Sequence, residues 1–244
     1  MDRGGTVVVS GAGTGLGRAI SRRLVSEGLH VTAVGRRLEL LQSLVEQAEG
    51  PVDTVAADLA TEAGAQTVGD AVEAGGRPCT GVVACAGGLS PDRPEDLAQL
   101  RSDWQAAFES NVLTAVLLIG ALQAVLERHG GRVVLLSSVA ALVGNGPYGA
   151  MKAALHPWMY DLARQLGPHG GTANVIAPGF VPDTEFWAGR LTPGARRQRA
   201  AQTLVGRAGQ PDEIASLVAW LLGPDGGWMT GQILSPNGGT VLGR

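Results

Sequence analysis

The stretch Thr6-Val-Val-Val-Ser10-Gly11-Ala-Gly-Thr-Gly-Leu-Gly17 decides how the rest of the chain is read. Its valines suit a strand buried on both faces, and the helical pattern Ala19, Ile20, Leu24, Val25 follows the glycines directly. Strand, glycine turn and helix in that order make a phosphate site. The glycines let the backbone approach a pyrophosphate closely, and the helix start offers free N–H groups and the positive end of the helix dipole. Gly11, Gly13, Thr14, Gly15, Leu16 and Gly17 are therefore candidate cofactor-binding residues.

Outward from this turn the same unit repeats. A second strand, His30-Val-Thr-Ala-Val34, ends in Gly35-Arg36-Arg37, where a dinucleotide fold meets the adenosine ribose. An acid at that point binds a 2′-hydroxyl, whereas arginine suits a 2′-phosphate. Phosphate recognition is the preferred reading for Arg36, and a solvated charge at a helix start is the competing reading, which suits Arg37. Val52-Asp-Thr-Val-Ala-Ala57 forms a third strand, and Asp58-Leu59 follows it near the place of the adenine. Asp58 also qualifies as a helix cap, with Thr61 the stronger cap candidate. Gly81-Val-Val-Ala-Cys85 forms a fourth strand and runs into Ala86-Gly87-Gly88. Repeated β-α-β units of this length predict an α/β fold, with a parallel doubly wound sheet and helices on both faces.

Composition bounds the reading. The chain has 244 residues, 45% of them hydrophobic, enough for one large domain with a developed core. A net charge of -3 without a sustained basic run argues against a nucleic-acid or anionic-membrane surface. The apolar runs look too short to span a bilayer. The start, Met-Asp-Arg-Gly-Gly, lacks the pattern of a signal peptide, and with two cysteines, Cys79 and Cys85, the expectation is a reduced cytoplasmic protein. Cys85 has no histidine or metal-spaced partner nearby, which favours a small core residue over a reactive thiol.

The chemistry is concentrated in Ser138 to Lys152. Tyr148 and Lys152 are four apart at the start of a helix-periodic segment, so both side chains project from one face. A nearby ammonium is expected to lower the phenol pKa and make Tyr148 a usable general acid or base. Ser138 follows the apolar run Val133-Val134-Leu135-Leu136, at the strand end where open α/β sheets keep their sites. A Tyr-x-x-x-Lys pair alone is a common accident on helix surfaces, and it is the glycine turn upstream that gives it weight. Asn111 interrupts a long apolar helix expected from about Ser102 to Arg128. It either bonds a backbone carbonyl or holds a water.

Beyond the Tyr148 helix, which Pro157 is expected to kink, come the strand Thr172–Ala177 and Pro178-Gly179-Phe-Val-Pro-Asp-Thr184. The segment 180–204 has no clean period and reads as a mobile lid over a single domain, 1–244. Trp187 within it serves equally well as a stacking surface for a planar substrate or as the lid's own anchor. A helix from Gln210-Pro211 through Leu222 and a seventh strand, Gln232–Pro236, complete the chain.

These motifs, in this order and over nearly the whole length, resemble the short-chain dehydrogenase/reductase family. Ser10-Gly11 with Gly15 and Gly17 looks like its glycine turn, and Ala84-Cys85-Ala86-Gly87 stands where the family usually writes Asn-Asn-Ala-Gly. Asn111, Ser138, Tyr148 and Lys152 match its catalytic tetrad, and Pro178-Gly179 its nicotinamide-side motif. The resemblance is greatest to bacterial 3-oxoacyl-carrier-protein reductases and related secondary-metabolism ketoreductases. It implies a Rossmann fold with a seven-stranded sheet, NADP(H) rather than NAD(H), and hydride delivery to a ketone while Tyr148 protonates the oxygen. Lys152 would hold the nicotinamide ribose and Ser138 would polarise the carbonyl. Asn111 would keep a water for a proton relay, and Ala86, Gly87, Pro178, Gly179, Val181 and Thr184 would line the cofactor. The implied partners are a small-molecule ketone or alcohol, free or on a carrier protein, and further copies of the chain in a homotetramer built on helices 102–128 and 148–166. The chain departs from the family's pattern in three places. Ala84 and Cys85 replace asparagines, so the turn after the fourth strand needs another brace. The Ser138-to-Tyr148 interval is about three residues short, and Pro182-Asp183 lengthens the lid motif before Thr184. The readings set against this one are an NAD-dependent alcohol or sugar dehydrogenase and a non-catalytic cofactor-binding protein.

Overall fold

Six runs of β-branched and small apolar residues form the long strands of a parallel sheet. They are β1 (Thr6–Ser10), β2 (His30–Gly35), β3 (Val52–Ala56), β4 (Cys79–Ala84), β5 (Arg132–Leu136) and β6 (Thr172–Ile176), and the short β7 (Ile233–Leu234) adds an edge. The computed structural model describes residues 4–89 and 94–243. The strand order is β3-β2-β1-β4-β5-β6-β7, every pairing parallel, so the order reverses between β1 and β4. That reversal opens a crevice at the strand carboxyl ends, where such sheets bind ligands.

Helices cover both faces. On one side α1 (Gly15–Ser26), α2 (Leu38–Gln47) and α9 (Pro211–Leu222) enclose a core containing Val7, Val9, Ile20, Leu24, Leu41, Ile214 and Val218. On the other, α3 (Glu62–Ala74), the long helix α4 (Leu97–Phe108) with α5 (Thr114–His129), and α7 (Gly146–Leu166) enclose Val8, Val82, Leu118, Leu122, Val133, Leu155 and Met159. The doubly wound architecture expected from the repeated β-α-β pattern is present.

Several boundaries differ from expectation. The long helix begins at Leu97, five residues before Ser102, because the Asp96 carboxylate accepts a hydrogen bond from the Gln99 N–H at 2.8 Å and caps it. It does not run as one regular helix, since Glu109–Leu113 forms a π-helical turn around Asn111. From Leu97 to His129 the 33 residues are also long and apolar enough to cross a bilayer, with a mean hydropathy of 1.6 over the best window, contrary to the expectation of short apolar runs. Here Leu118, Ile119, Leu122 and Leu126 pack on the sheet. The helix α7 runs through Pro157 without interruption. The final strand is shorter than Gln232–Pro236, and Cys85 lies just past β4 rather than within it.

The lid contains more regular structure than its sequence suggests. A 3-10 turn, Glu185–Trp187, is followed by α8 (Pro193–Ala201), where Thr192 caps the helix by accepting from Ala195 N–H at 3.2 Å and Pro193 occupies the first turn. Trp187 is the anchor of this segment. Its ring meets Phe180 and Phe186 edge-on, with centroids 5.4 and 5.3 Å apart, and the Arg199 guanidinium lies 5.1 Å from its centroid.

Candidate active site

The glycine turn is built as a cradle. A Cβ on Gly17 would sit 2.2 Å from the Gly11 carbonyl oxygen, so the start of α1 folds tightly onto the end of β1 only because no side chain is there. Gly11 and Gly15 have positive φ, +66° and +51°. Thr14 is the N-cap of α1, yet its hydroxyl makes no capping bond, and no acidic residue occupies the first turn. The first turn of α1 thus adds no negative charge of its own to the positive helix end, which fits a pyrophosphate. Gly13 and Leu16 complete the turn, half-buried.

The other expected cofactor residues also lie at strand ends. Arg36 and Arg37 follow β2, Asp58 and Leu59 follow β3, Ala86 and Gly87 follow β4, and Pro178, Gly179 and Val181 follow β6. They are not equivalent. Leu59 is buried in the core, whereas Asp58 is exposed and accepts from Ala60 N–H at 3.1 Å, forming a turn ahead of the true α3 cap, Thr61. Arg36 is exposed, and among the described residues it makes no hydrogen bond or ion pair. Arg37 is not a free helix-start charge: it forms a two-pronged ion pair with Glu185 of the lid, at 3.1 and 2.8 Å. Thr184 packs towards Gly15, where an added Cβ would lie 3.3 Å from the threonine Cβ.

The missing asparagines after β4 are replaced by one hydroxyl. Ser10 Oγ, at the end of β1, accepts from both Cys85 N–H and Ala86 N–H at 3.0 Å. This braces the turn across the crevice. Asn111 holds the next residue: its Oδ1 accepts from Gly88 N–H at 3.1 Å, and its Nδ2 donates to the carbonyls of Gly88 and Ala107, each at 3.0 Å. Asn111 makes the expected backbone bonds, from its place within the π turn. A Cβ on Gly87 would lie 2.6 Å from Asn111 Oδ1 and 3.0 Å from Lys152 Nζ, so the absence of a side chain there gives both groups their places.

Ser138 and Tyr148 come together. The Ala140 N–H donates to Ser138 Oγ at 3.1 Å, fixing the hydroxyl, and the serine lies close enough to the Tyr148 phenol to favour its ionised form. The short interval between them is spanned by one turn, α6 (Ala140–Val143), and by Gly144 and Gly146, both at positive φ. Gly149 then lets α7 lie against α6, since a Cβ there would meet the Ala140 carbonyl at 2.7 Å. Tyr148 and Lys152 are both buried, one turn apart on α7. The Lys152 ammonium donates to the Leu136 carbonyl at 2.8 Å.

The electrostatics reverse the sequence expectation for Tyr148. Burial pushes its phenol up to about 12, and the nearby Ser138 only partly offsets that. The same burial pulls Lys152 down to about 8, opposed by the Cys85 thiol beside it. Loss of solvation, which spacing does not report, is the largest influence on both groups. Cys85 is half-buried and free, and burial pushes its thiol up to about 11, as suits a packing residue.

Two further residues escaped the sequence reading. Ser137 Oγ hydrogen-bonds the Lys152 carbonyl at 3.0 Å and His156 Nε2 at 2.8 Å, both contacts buried, and so fastens α7 to the end of β5 beside the lysine. Phe186 of the lid packs on the Tyr148 ring, centroids 5.6 Å apart. The local sequence of Ser137 and His156 carries no signal for this, because the contact exists only once α7 is docked.

Comparison with known proteins agrees with this geometry. Residues 11–241 match a family model described as enoyl-(acyl carrier protein) reductase. A short-chain reductase, NovJ, of Streptomyces niveus is 34% identical, the match covering 95% of this chain and 92% of that protein. The 3-oxoacyl-[acyl-carrier-protein] reductase FabG of Vibrio harveyi is 29% identical over 98% of both chains. Among solved structures, an actinorhodin polyketide ketoreductase variant with NADPH superposes with a TM-score of 0.90 at 27% identity, covering 98% of each chain. The Pseudomonas aeruginosa RhlG/NADP complex superposes at 0.86 and 30% identity, covering 97% of this chain and 96% of that one. With the glycine cradle, the parallel sheet and these relatives in agreement over almost the entire length, the chain belongs to the short-chain dehydrogenase/reductase family of oxidoreductases.

Proposed function

We propose that this chain reduces a ketone to a secondary alcohol with NADPH, Tyr148 acting as general acid. The observation that carries the reading is the half-buried Ser138 beside the buried Tyr148 at the strand ends, with the buried Lys152 one turn along. Burial keeps the phenol protonated at neutral pH, the state an acid for carbonyl reduction needs. Bound NADPH supplies the hydride. Ser138 donates a hydrogen bond to the carbonyl oxygen, and Tyr148 gives that oxygen its proton. Lys152 holds the nicotinamide ribose, and Asn111 fixes the Gly88 backbone beside it. The cofactor residues Gly11, Gly13, Thr14, Gly15, Leu16 and Gly17 hold the pyrophosphate, and Arg36 and Arg37 supply cationic partners for a 2′-phosphate.

The ketone is a 3-oxoacyl thioester or a polyketide-type ketone. Two of the relatives named above, the 3-oxoacyl-[acyl-carrier-protein] reductase and the polyketide ketoreductase, act in that chemistry by their descriptions, and Phe180, Phe186 and Trp187 form an aromatic wall leading to Tyr148. A turnover screen with NADPH against acyl thioesters, cyclic or aromatic ketones and sugars tests it, with an enoyl thioester as control. Fastest turnover of a ketone of the first two kinds is expected. Faster reduction of a sugar or of the enoyl double bond, or absence of turnover throughout, overturns the reading. The reading includes a cytoplasmic location, which the two free thiols support.

The functional unit is a homotetramer. Leu97, Trp104 and Phe108 on α4 are exposed, as are the small residues Ala150, Ala154 and Pro157 and the ring of Tyr160 on α7. Apolar surface left uncovered on two neighbouring helices suits a helix-pairing interface, and Trp228 and the edge strand β7 offer a second. Light scattering during gel filtration should give four times the chain mass; a value near 25 kDa rules the assembly out.

A further inference from the structure

The ion pair between Arg37 and Glu185 joins the loop after β2 to the lid. The carboxylate receives both prongs of the guanidinium fork, Nη1 to Oε1 at 3.1 Å and Nη2 to Oε2 at 2.8 Å. The Thr14 side chain, at the N-cap of α1, lies close enough to Glu185 to help hold its carboxyl below the usual range, after Arg37. Glu185 also lines, with Gly15 and Thr184, an open cavity of about 1130 Å³ beside the glycine turn. The lid carboxylate thus occupies the fork that a 2′-phosphate would use, at the edge of the cradle that would hold the rest of the cofactor. A phosphate that approaches the Nη1–Nη2 edge must displace Glu185, and one that approaches the remaining Nε edge still meets the carboxylate's negative charge.

Resting on the NADPH reading, we propose that Glu185 is a specificity-determining residue, competing with the 2′-phosphate for Arg37. The 2′-phosphate of NADPH either displaces the lid carboxylate or binds beside its negative charge, whereas NADH leaves the ion pair undisturbed. The preference for NADPH is therefore smaller than two arginines alone would give. The exchange also reaches the reaction site, because the next residue, Phe186, lies on the Tyr148 ring. Drawing Arg37 away from Glu185 frees the segment that covers the phenol.

Dissociation constants for NADPH and NADH, measured by nicotinamide fluorescence, test this on wild type, Glu185→Gln, Arg37→Gln and the double variant. Removing one charge near a phosphate dianion should tighten NADPH binding about three- to tenfold and change NADH binding by less than about twofold. In the Arg37→Gln background the gain should shrink, because the fork is gone and only through-space repulsion remains. No gain for NADPH, an equal gain for both cofactors, or a gain undiminished without Arg37 overturns the inference and leaves the NADPH reading standing. A wild type that binds NADH more tightly than NADPH, or neither, overturns that reading and the inference with it.

Discussion

The strand-end half of the site and the lid half are held in different ways. Ser10, Asn111, Tyr148 and Lys152 are almost wholly buried, and each is fixed by contacts to backbone or to groups that are themselves fixed. Across from them, the lid is secured by exposed ion pairs, Arg37–Glu185 and Arg196–Asp183, and by an aromatic cluster around Trp187. Exposed pairs of this kind contribute roughly 0–1 kcal/mol each. A buried donor or acceptor that loses its partner costs about 1–3 kcal/mol. On the function proposed above, the chemistry is preorganised in the rigid half, and cofactor choice is left to the half that can rearrange cheaply.

That contrast breaks if the rigid half proves dispensable. Tyr148→Phe should leave the fold and NADPH binding intact and lower turnover by at least ~10² on the best ketone of the screen. Near-normal turnover in that variant would remove the phenol from the mechanism. A smaller effect comes from pH. Lys152 has its pKa lowered to about 8, so its ammonium is lost as pH rises through that value, while Tyr148 keeps its proton up to about 12. The alkaline limb of kcat/KM should consequently fall near pH 8, by up to about tenfold per pH unit, and belong to the lysine. A limb at pH 10 or above would mean that burial does not tune the ammonium in the working enzyme. Smallest of the three is the three- to tenfold change in NADPH affinity expected for Glu185→Gln, which sharpens the contrast by confining the lid's contribution to selectivity.

The same contrast explains what could be read from the chain alone. The sheet, its parallel order and the placement of Ser138, Tyr148 and Lys152 follow from β-branched runs, glycine turns and helical spacing, all of which are local. The early start of the long helix was also legible, since Asp96 followed by Gln99 is a capping pattern, and Thr192-Pro193 announces α8 in the same way. The Tyr148 pKa was not, because spacing reports a nearby ammonium but not the loss of water around both groups. Nor could spacing reveal Arg37–Glu185, whose partners are 148 residues apart and meet only when the lid is seated. Trp187 is a case between: its aromatic neighbours are visible in the sequence, but its packing against Phe180 and Arg199 within the lid appears only in the fold.

Ser10 carries a consequence for how this fold can be altered. One oxygen at the end of β1 receives the two N–H groups that shape the turn after β4, 75 and 76 residues downstream. The nucleotide cradle and the entrance to the reaction chamber are therefore not interchangeable modules. A chimera that takes its first 30 residues from a relative with a different group at this position would inherit a turn after β4 with two unmatched amides, even with every residue around Tyr148 retained. Exchanges meant to alter cofactor choice should cut after β1, keeping Ser10 and the Ala84-Cys85-Ala86-Gly87 turn from the same parent.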